Sequence, residues 1–81
     1  MSDMHDVTKI NYKNDYVFYV EFEDGLSGEI DFYEYINKGP VFKPFENLDF
    51  FKNASIDGGT ILWPNGADIA PETLYEKLCH Y

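Results

Sequence analysis

Apolar and polar residues alternate most regularly from Leu26 to Phe32, with Leu26, Gly28, Ile30 and Phe32 on one side and Ser27, Glu29 and Asp31 on the other. A period of two marks a half-buried strand with one solvated face. Upstream, Val7 to Tyr12 reads as a short strand, and Tyr16 to Phe22 as a second, joined by a turn at Asn14-Asp15. Parity fixes how the second and third strands pair. A three-residue loop, Glu23-Asp24-Gly25 with glycine in the left-handed position, sets Phe22 against Leu26, Val20 against Gly28, Phe18 against Ile30 and Tyr16 against Phe32. A two-residue Asp24-Gly25 turn would pair Val20 with Glu29 and Phe18 with Asp31, burying unpaired acids, and is rejected on that cost.

Tyr33 to Asn37 is expected to form one helical turn, stopped near Lys38-Gly39 by Pro40. From Val41 to Phe51 the chain is aromatic but aperiodic, and Pro44 interrupts it. Loop or a single helical turn near Leu48 to Phe51 is expected there, with Phe42, Phe45, Phe50 and Phe51 partly covering the sheet. Gly58-Gly59 is a two-residue hairpin turn that sets Ile56 against Ile61 and Ala54 against Trp63. After a further turn at Pro64-Asn65-Gly66, Pro71 opens a helix through Leu78, with Leu74 and Leu78 facing the core. These elements predict an α+β fold: an antiparallel sheet of about five strands, built from two hairpins, with a short C-terminal helix. The whole chain, 1–81, reads as a single small domain, with residues 1–6 expected to form a disordered tail.

The chain of 81 residues has room for one core, and its 44% apolar and 19% aromatic content is enough to pack it. Fifteen acidic residues against six lysines and no arginine give a net charge of −9, which opposes direct binding to nucleic acid or an anionic membrane surface. The missing arginine also removes the usual bidentate reader of phosphates and carboxylates. The single cysteine, Cys79, has no intramolecular partner, so a reducing cytoplasm is the expected setting. Met1 to Asp6 does not resemble an export signal, and no apolar run approaches the length of a membrane span.

The Phe22-Glu23-Asp24-Gly25 hairpin, Ile30-Asp31-Phe32, Gly39-Pro40-Val41-Phe42 and the segment from Trp63 through Pro64-Asn65-Gly66-Ala67-Asp68-Ile69-Ala70-Pro71 to Glu72 follow one another in an order that resembles the family catalogued as domain of unknown function 2442. The resemblance runs from about Val7 to Tyr75, and the tryptophan-to-proline segment is its most specific part. It implies small prokaryotic α+β proteins, some standing alone and others followed by a helix-turn-helix segment, and it brings no activity. The resemblance also implies a gene arrangement similar to toxin and antitoxin pairs, and with it a partner-binding protein. The sequence ends at Tyr81 with no helix-turn-helix segment, so a DNA-binding role attached to such a segment is not expected to transfer.

Two groups of residues are candidates for a binding site. Trp63, Asn65 and Asp68 surround a turn and could form a recognition lip, but the stronger reading is structural, with Trp63 capping the sheet core and Asp68 satisfying turn or helix-start amides. Tyr19, Glu21, Glu29 and Asp31 share the polar face of the first hairpin, where the register sets Tyr19 against Glu29, Glu21 against Ser27 and Val17 against Asp31. No catalytic residue is assigned, because acid-base chemistry needs a carboxyl raised by burial in a cleft, and a solvated strand face accounts for the pattern. His5 with Asp3 and Asp6, and Cys79 with His80, carry groups that metals favour, but they sit at chain ends and lack metal-site spacing. No metal or cofactor is expected, and Gly58-Gly59 lacks the lysine and following helix of a phosphate loop. The reading these features favour is a non-catalytic interaction or accessory module, the antitoxin-like half of a two-gene pair, that binds a basic protein through its acidic face. Open sheet edges also allow a homodimer. The alternative is a small-molecule sensor or enzyme with a pocket under the Phe-rich loop. An acidic nucleic-acid mimic ranks last, because the acids cluster on one hairpin.

Overall fold

The structure, a computed structural model, describes residues 5–79. Strands β1 (Val7–Asn14), β2 (Val17–Phe22) and β3 (Ser27–Asp31) form an antiparallel sheet in the order β1-β2-β3. Two 3-10 helices (Tyr33–Asn37 and Pro40–Glu46) and the short helix α1 (Leu48–Phe51) lead to β4 (Ser55–Asp57), β5 (Thr60–Leu62) and β6 (Asp68–Ile69). These last three strands form a second antiparallel sheet, followed by helix α2 (Pro71–Cys79). The single sheet of about five strands expected from the sequence is therefore two separate sheets of three. They meet where the Val7 amide donates to the Gly59 carbonyl at 2.9 Å. The register of β1 breaks immediately afterwards, between Val7 and Lys9. A bulge strengthens local twist, so β1 turns away from β4 before a ladder can extend.

The first hairpin has the register that parity demands: Phe18 opposes Ile30 and Val20 opposes Gly28. The Phe22 amide donates to the Leu26 carbonyl and that of Phe32 to the Tyr16 carbonyl, both at 2.8 Å, while Gly25 takes φ +97° in the loop. In the second sheet Ile56 opposes Ile61, and Gly58 and Gly59 both have positive φ, as a tight turn matched to strand twist requires. The strand β6 was not anticipated. It is two residues long and too short to show a period.

Pro40–Glu46 forms a 3-10 helix where only irregular chain was expected, and Asn47 caps α1 by accepting from the amides of Asp49 and Phe50. In α2, Pro71 opens the helix and Leu74 and Leu78 are buried. The inner face of the first sheet (Phe18, Val20, Phe22, Ile30) and Phe32 share one core with Phe45, Phe51, Ile61, Trp63, Ile69, Leu74 and Leu78. No helix among the described residues is long and apolar enough to cross a membrane.

Of the tail expected at 1–6, residues 1–4 lie outside the described residues. His5 stacks on Tyr75 with ring centroids 3.9 Å apart, and the Asp6 carbonyl accepts from the Glu23 amide at 2.9 Å. The Asp6 side chain lies so close to Gly59 that an added Cβ would stand 2.5 Å from its Cγ. At Gly58, by contrast, a side chain would meet open space. Gly59→Ala is therefore expected to lower the free energy of unfolding by about 1–3 kcal/mol, from left-handed strain plus displacement of Asp6. Gly58→Asn should change it by less than about 0.5 kcal/mol, since asparagine tolerates this conformation. Urea unfolding of the two variants measures the difference.

Candidate functional site

The two candidate groups lie on different sheets and do not form one site. Trp63 is 1% exposed. Its indole N–H donates to the Phe51 carbonyl at 2.8 Å, and its ring packs against Phe45, Phe51 and Phe32 at centroid distances of 4.5, 6.0 and 6.0 Å. It is a core residue, not a surface lip. Asn65 closes the turn that follows: its side-chain oxygen accepts from the Ala67 amide, and its Nδ2 donates to the Val41 carbonyl, both at 3.0 Å. That second bond ties the β5-β6 turn to the Phe-rich segment. Asp68 pairs with Leu62 across β6 and points to solvent. Of the turn or helix-start amides expected to meet Asp68, the turn amide of Ala67 is bonded to Asn65 instead.

This turn repeats the build of the first hairpin loop. Trp63 and Phe22 each donate their amide to the carbonyl four residues on, at 2.8 Å in both loops. Gly66 and Gly25 donate back across three residues, with φ of +91° and +97°. Asn65 and Asp24 each accept from the amide two residues later, at 3.0 Å. A side-chain oxygen at the third position and glycine at the fourth suit this loop, because the first caps a free amide and the second takes φ above zero at no steric cost.

The other group lies on the outer face of the first sheet. Tyr19 opposes Glu29, Val17 opposes Asp31 and Glu21 opposes Ser27, as the sequence predicts. The Tyr19 hydroxyl donates to Glu21 Oε2 at 2.7 Å, and Asp31 Oδ1 accepts from the Tyr33 amide at 2.9 Å, anchoring the start of the first 3-10 helix. Glu29 and Asp31 are exposed, while Tyr19 and Glu21 are half-buried. Sequence reasoning missed what β1 adds to this surface. Lys9 stands opposite Glu21 and Asn11 opposite Tyr19, so β1 adds one basic group to this face, while Glu29 and Asp31 lie on the β3 side. The signal was the parity of β1, which its bulges obscured.

Beneath the Phe-rich segment, Phe45 and Phe51 are fully buried and pack edge to face at 5.2 Å. Two surface clefts flank the first 3-10 helix. One, of about 350 Å³, is lined by Glu34, Tyr35, Lys38, Thr73, Glu76 and Lys77. The other, of about 290 Å³, is lined by Ile36, Asn37, Gly39, Pro40 and Lys43. In the larger, the ammonium groups of Lys38 and Lys77 lie 5.8 and 5.5 Å from the Tyr35 ring centroid, within cation-π range. Lys77 also pairs with Glu34. That hydrogen bond holds the Glu34 carboxyl below its ordinary value and raises Lys77, while burial pushes the Tyr35 hydroxyl up. Asp24 is lowered chiefly by the hydrogen bond it accepts from Tyr75, whose hydroxyl is in turn pushed up to about 12. Both carboxylates with displaced values thus favour the ionised form, opposite to what a general acid needs. The Cys79 thiol is exposed; His80 and Asp3 lie outside the described residues. Among the described residues no three His, Cys, Asp or Glu side chains converge as metal ligands.

A small α+β protein emerges, with an aromatic core between two sheets and one sheet face open to solvent. The chain belongs to the family described as protein of unknown function (DUF2442), whose family model matches residues 7–78. No curated protein and no solved structure matches it.

Trp63→Phe should lower stability by about 2–4 kcal/mol, through lost packing and a buried carbonyl left without its donor; urea unfolding followed by far-ultraviolet circular dichroism checks this. Tyr75→Phe should return the Asp24 carboxyl upward toward its ordinary value, read from its side-chain carbon shift during an NMR titration. In the native protein the contribution of this contact is present above the ordinary carboxyl value and is lost as pH falls through the lower value Asp24 has when folded. At the alkaline end the folded chain keeps the Tyr75 proton that the unfolded chain releases, so the contribution also fades as pH climbs from about 10.

Proposed function

We propose that this protein is a non-catalytic interaction module, the acidic and antitoxin-like half of a protein pair, that docks a basic partner on the outer face of its first sheet. The observation that carries this reading is that face itself: Glu29 and Asp31 are exposed on it, and Glu21, Glu29 and Asp31 stand together on one hairpin. A net charge of −9 supports it, since long-range attraction raises the encounter rate with a basic protein and penalises acidic competitors. Tyr19 adds an amphipathic ring beside the carboxylates, of the kind enriched where proteins meet. Family membership is consistent with a partner-binding role and supplies no reaction.

A pull-down of the tagged protein from its native cells, after nuclease treatment and at low and high salt, tests this. One near-stoichiometric basic protein, released by salt, is the expected result. Glu29→Lys reverses charge at an exposed position outside the core and should weaken that complex at least about tenfold without altering the circular dichroism spectrum. Absence of any partner at either salt concentration would overturn the reading.

A further inference from the structure

The first sheet ends in two edges of different character. On β1 the register breaks twice, between Val7 and Lys9 and between Tyr12 and Asn14, and the Val7 amide is already bonded to Gly59. Bulges bend and twist a strand, which is one way natural sheets close an edge to further pairing. On β3 the register runs unbroken through five pairs, from Ser27 to Asp31. Backbone bonds at both ends of this hairpin, Phe22 to Leu26 and Phe32 to Tyr16, show that its even-numbered residues face β2. Alternation therefore turns the amides and carbonyls of Ser27, Glu29 and Asp31 outward, away from the sheet. All three residues are exposed.

A cleft opens just beyond one end of this edge. Its walls are Glu34, Tyr35 and Lys38, on and just after the helix that follows β3, and Thr73, Glu76 and Lys77 of α2. Helix α2 passes beneath β3, where Leu78 sits so near Gly28 that an added Cβ would lie 2.8 Å from its Cδ2. Glu34, three residues beyond Asp31, pairs with Lys77 across the cleft, so the cleft opens near the Asp31 end of the edge.

We propose that the β3 edge accepts an extended segment of the basic partner as a fourth strand, with lysine or arginine at alternate positions beside Glu29 and Asp31, and the intervening residues turned toward the cleft between the first 3-10 helix and α2. The proposal rests on the interaction reading above and specifies how the partner docks. Strand addition takes affinity from main-chain bonds and specificity from alternate side chains, and this edge offers both. Charge selects the occupant. A second copy pairing β3 with β3 would set carboxylates beside carboxylates, which is destabilising in a ladder, whereas a basic strand places opposite charges across each pair.

The probe is a synthetic peptide alternating lysine and valine, titrated into the full chain by NMR, with two comparison peptides: one with the same composition but its lysines in a single block, the other with glutamate for lysine. Saturation with the alternating peptide should slow amide exchange at Ser27, Glu29 and Asp31 at least about tenfold, and the other two should bind at least about tenfold more weakly. Glu29→Pro removes one outward amide, leaves the bonds to β2 intact, and should weaken binding of the alternating peptide at least about tenfold; Glu29→Gln, which keeps the amide, should still give protection at Ser27 and Asp31. Equal binding of the blocked and alternating peptides, with no β3 protection, would overturn strand addition while leaving a basic partner docked on the sheet face. Failure of every peptide to bind, alongside a partner recovered from cells, would overturn it in the same way. Protection of the same amides by self-association in the absence of peptide would replace the partner with a second copy.

Discussion

The two sheets share few backbone bonds, so their union depends on one buried aromatic contact. Trp63, at the end of β5, places its indole among Phe32, Phe45 and Phe51, and its N–H meets the Phe51 carbonyl. Phe32 closes the first sheet, Phe45 and Phe51 come from the connecting helices, and Trp63 comes from the second sheet. The rings join all three parts. A buried indole must find an acceptor, and the end of α1 supplies one because the carbonyls of a helix's last turn have no partner within it. Much of what fixes the second sheet relative to the first follows from satisfying that single donor while closing the space around it.

Legibility in the sequence followed locality. Parity alone decides the β2-β3 pairing, because any other register would bury acids, and Gly58-Gly59 decides the β4-β5 turn. The long-range joins were not legible. A good hairpin after a good hairpin suggests a continued sheet, but whether β4 extends β1 depends on a bulge next to Val7 that no composition reveals. The strand β6 has two residues and no period. Its pairing comes from the Trp63–Ala67 loop, whose likeness to the Phe22–Leu26 loop becomes plain only when both sets of hydrogen bonds are seen.

The candidate residues divide along the same line. The facing pairs Tyr19 with Glu29 and Val17 with Asp31 were readable from one hairpin. The lysine opposite Glu21 was not, since it arrives from a strand whose bulges shift its alternation. Trp63 and Asn65 drew notice as an unusual grouping, and the structure gives each a specific bond inside the molecule. The Phe-rich segment, which suggested a covered pocket, packs Phe45 and Phe51 against Trp63, and its Pro40 and Lys43 border a cleft beside the first 3-10 helix.

The position of Trp63 has an optical consequence. It is the chain's only tryptophan, and it sits where the halves of the protein come together. Its emission therefore depends on neither sheet alone. It changes when water reaches the seam between them, so the native chain carries an intrinsic fluorophore for the docking step, distinct from the dichroic signal of either hairpin.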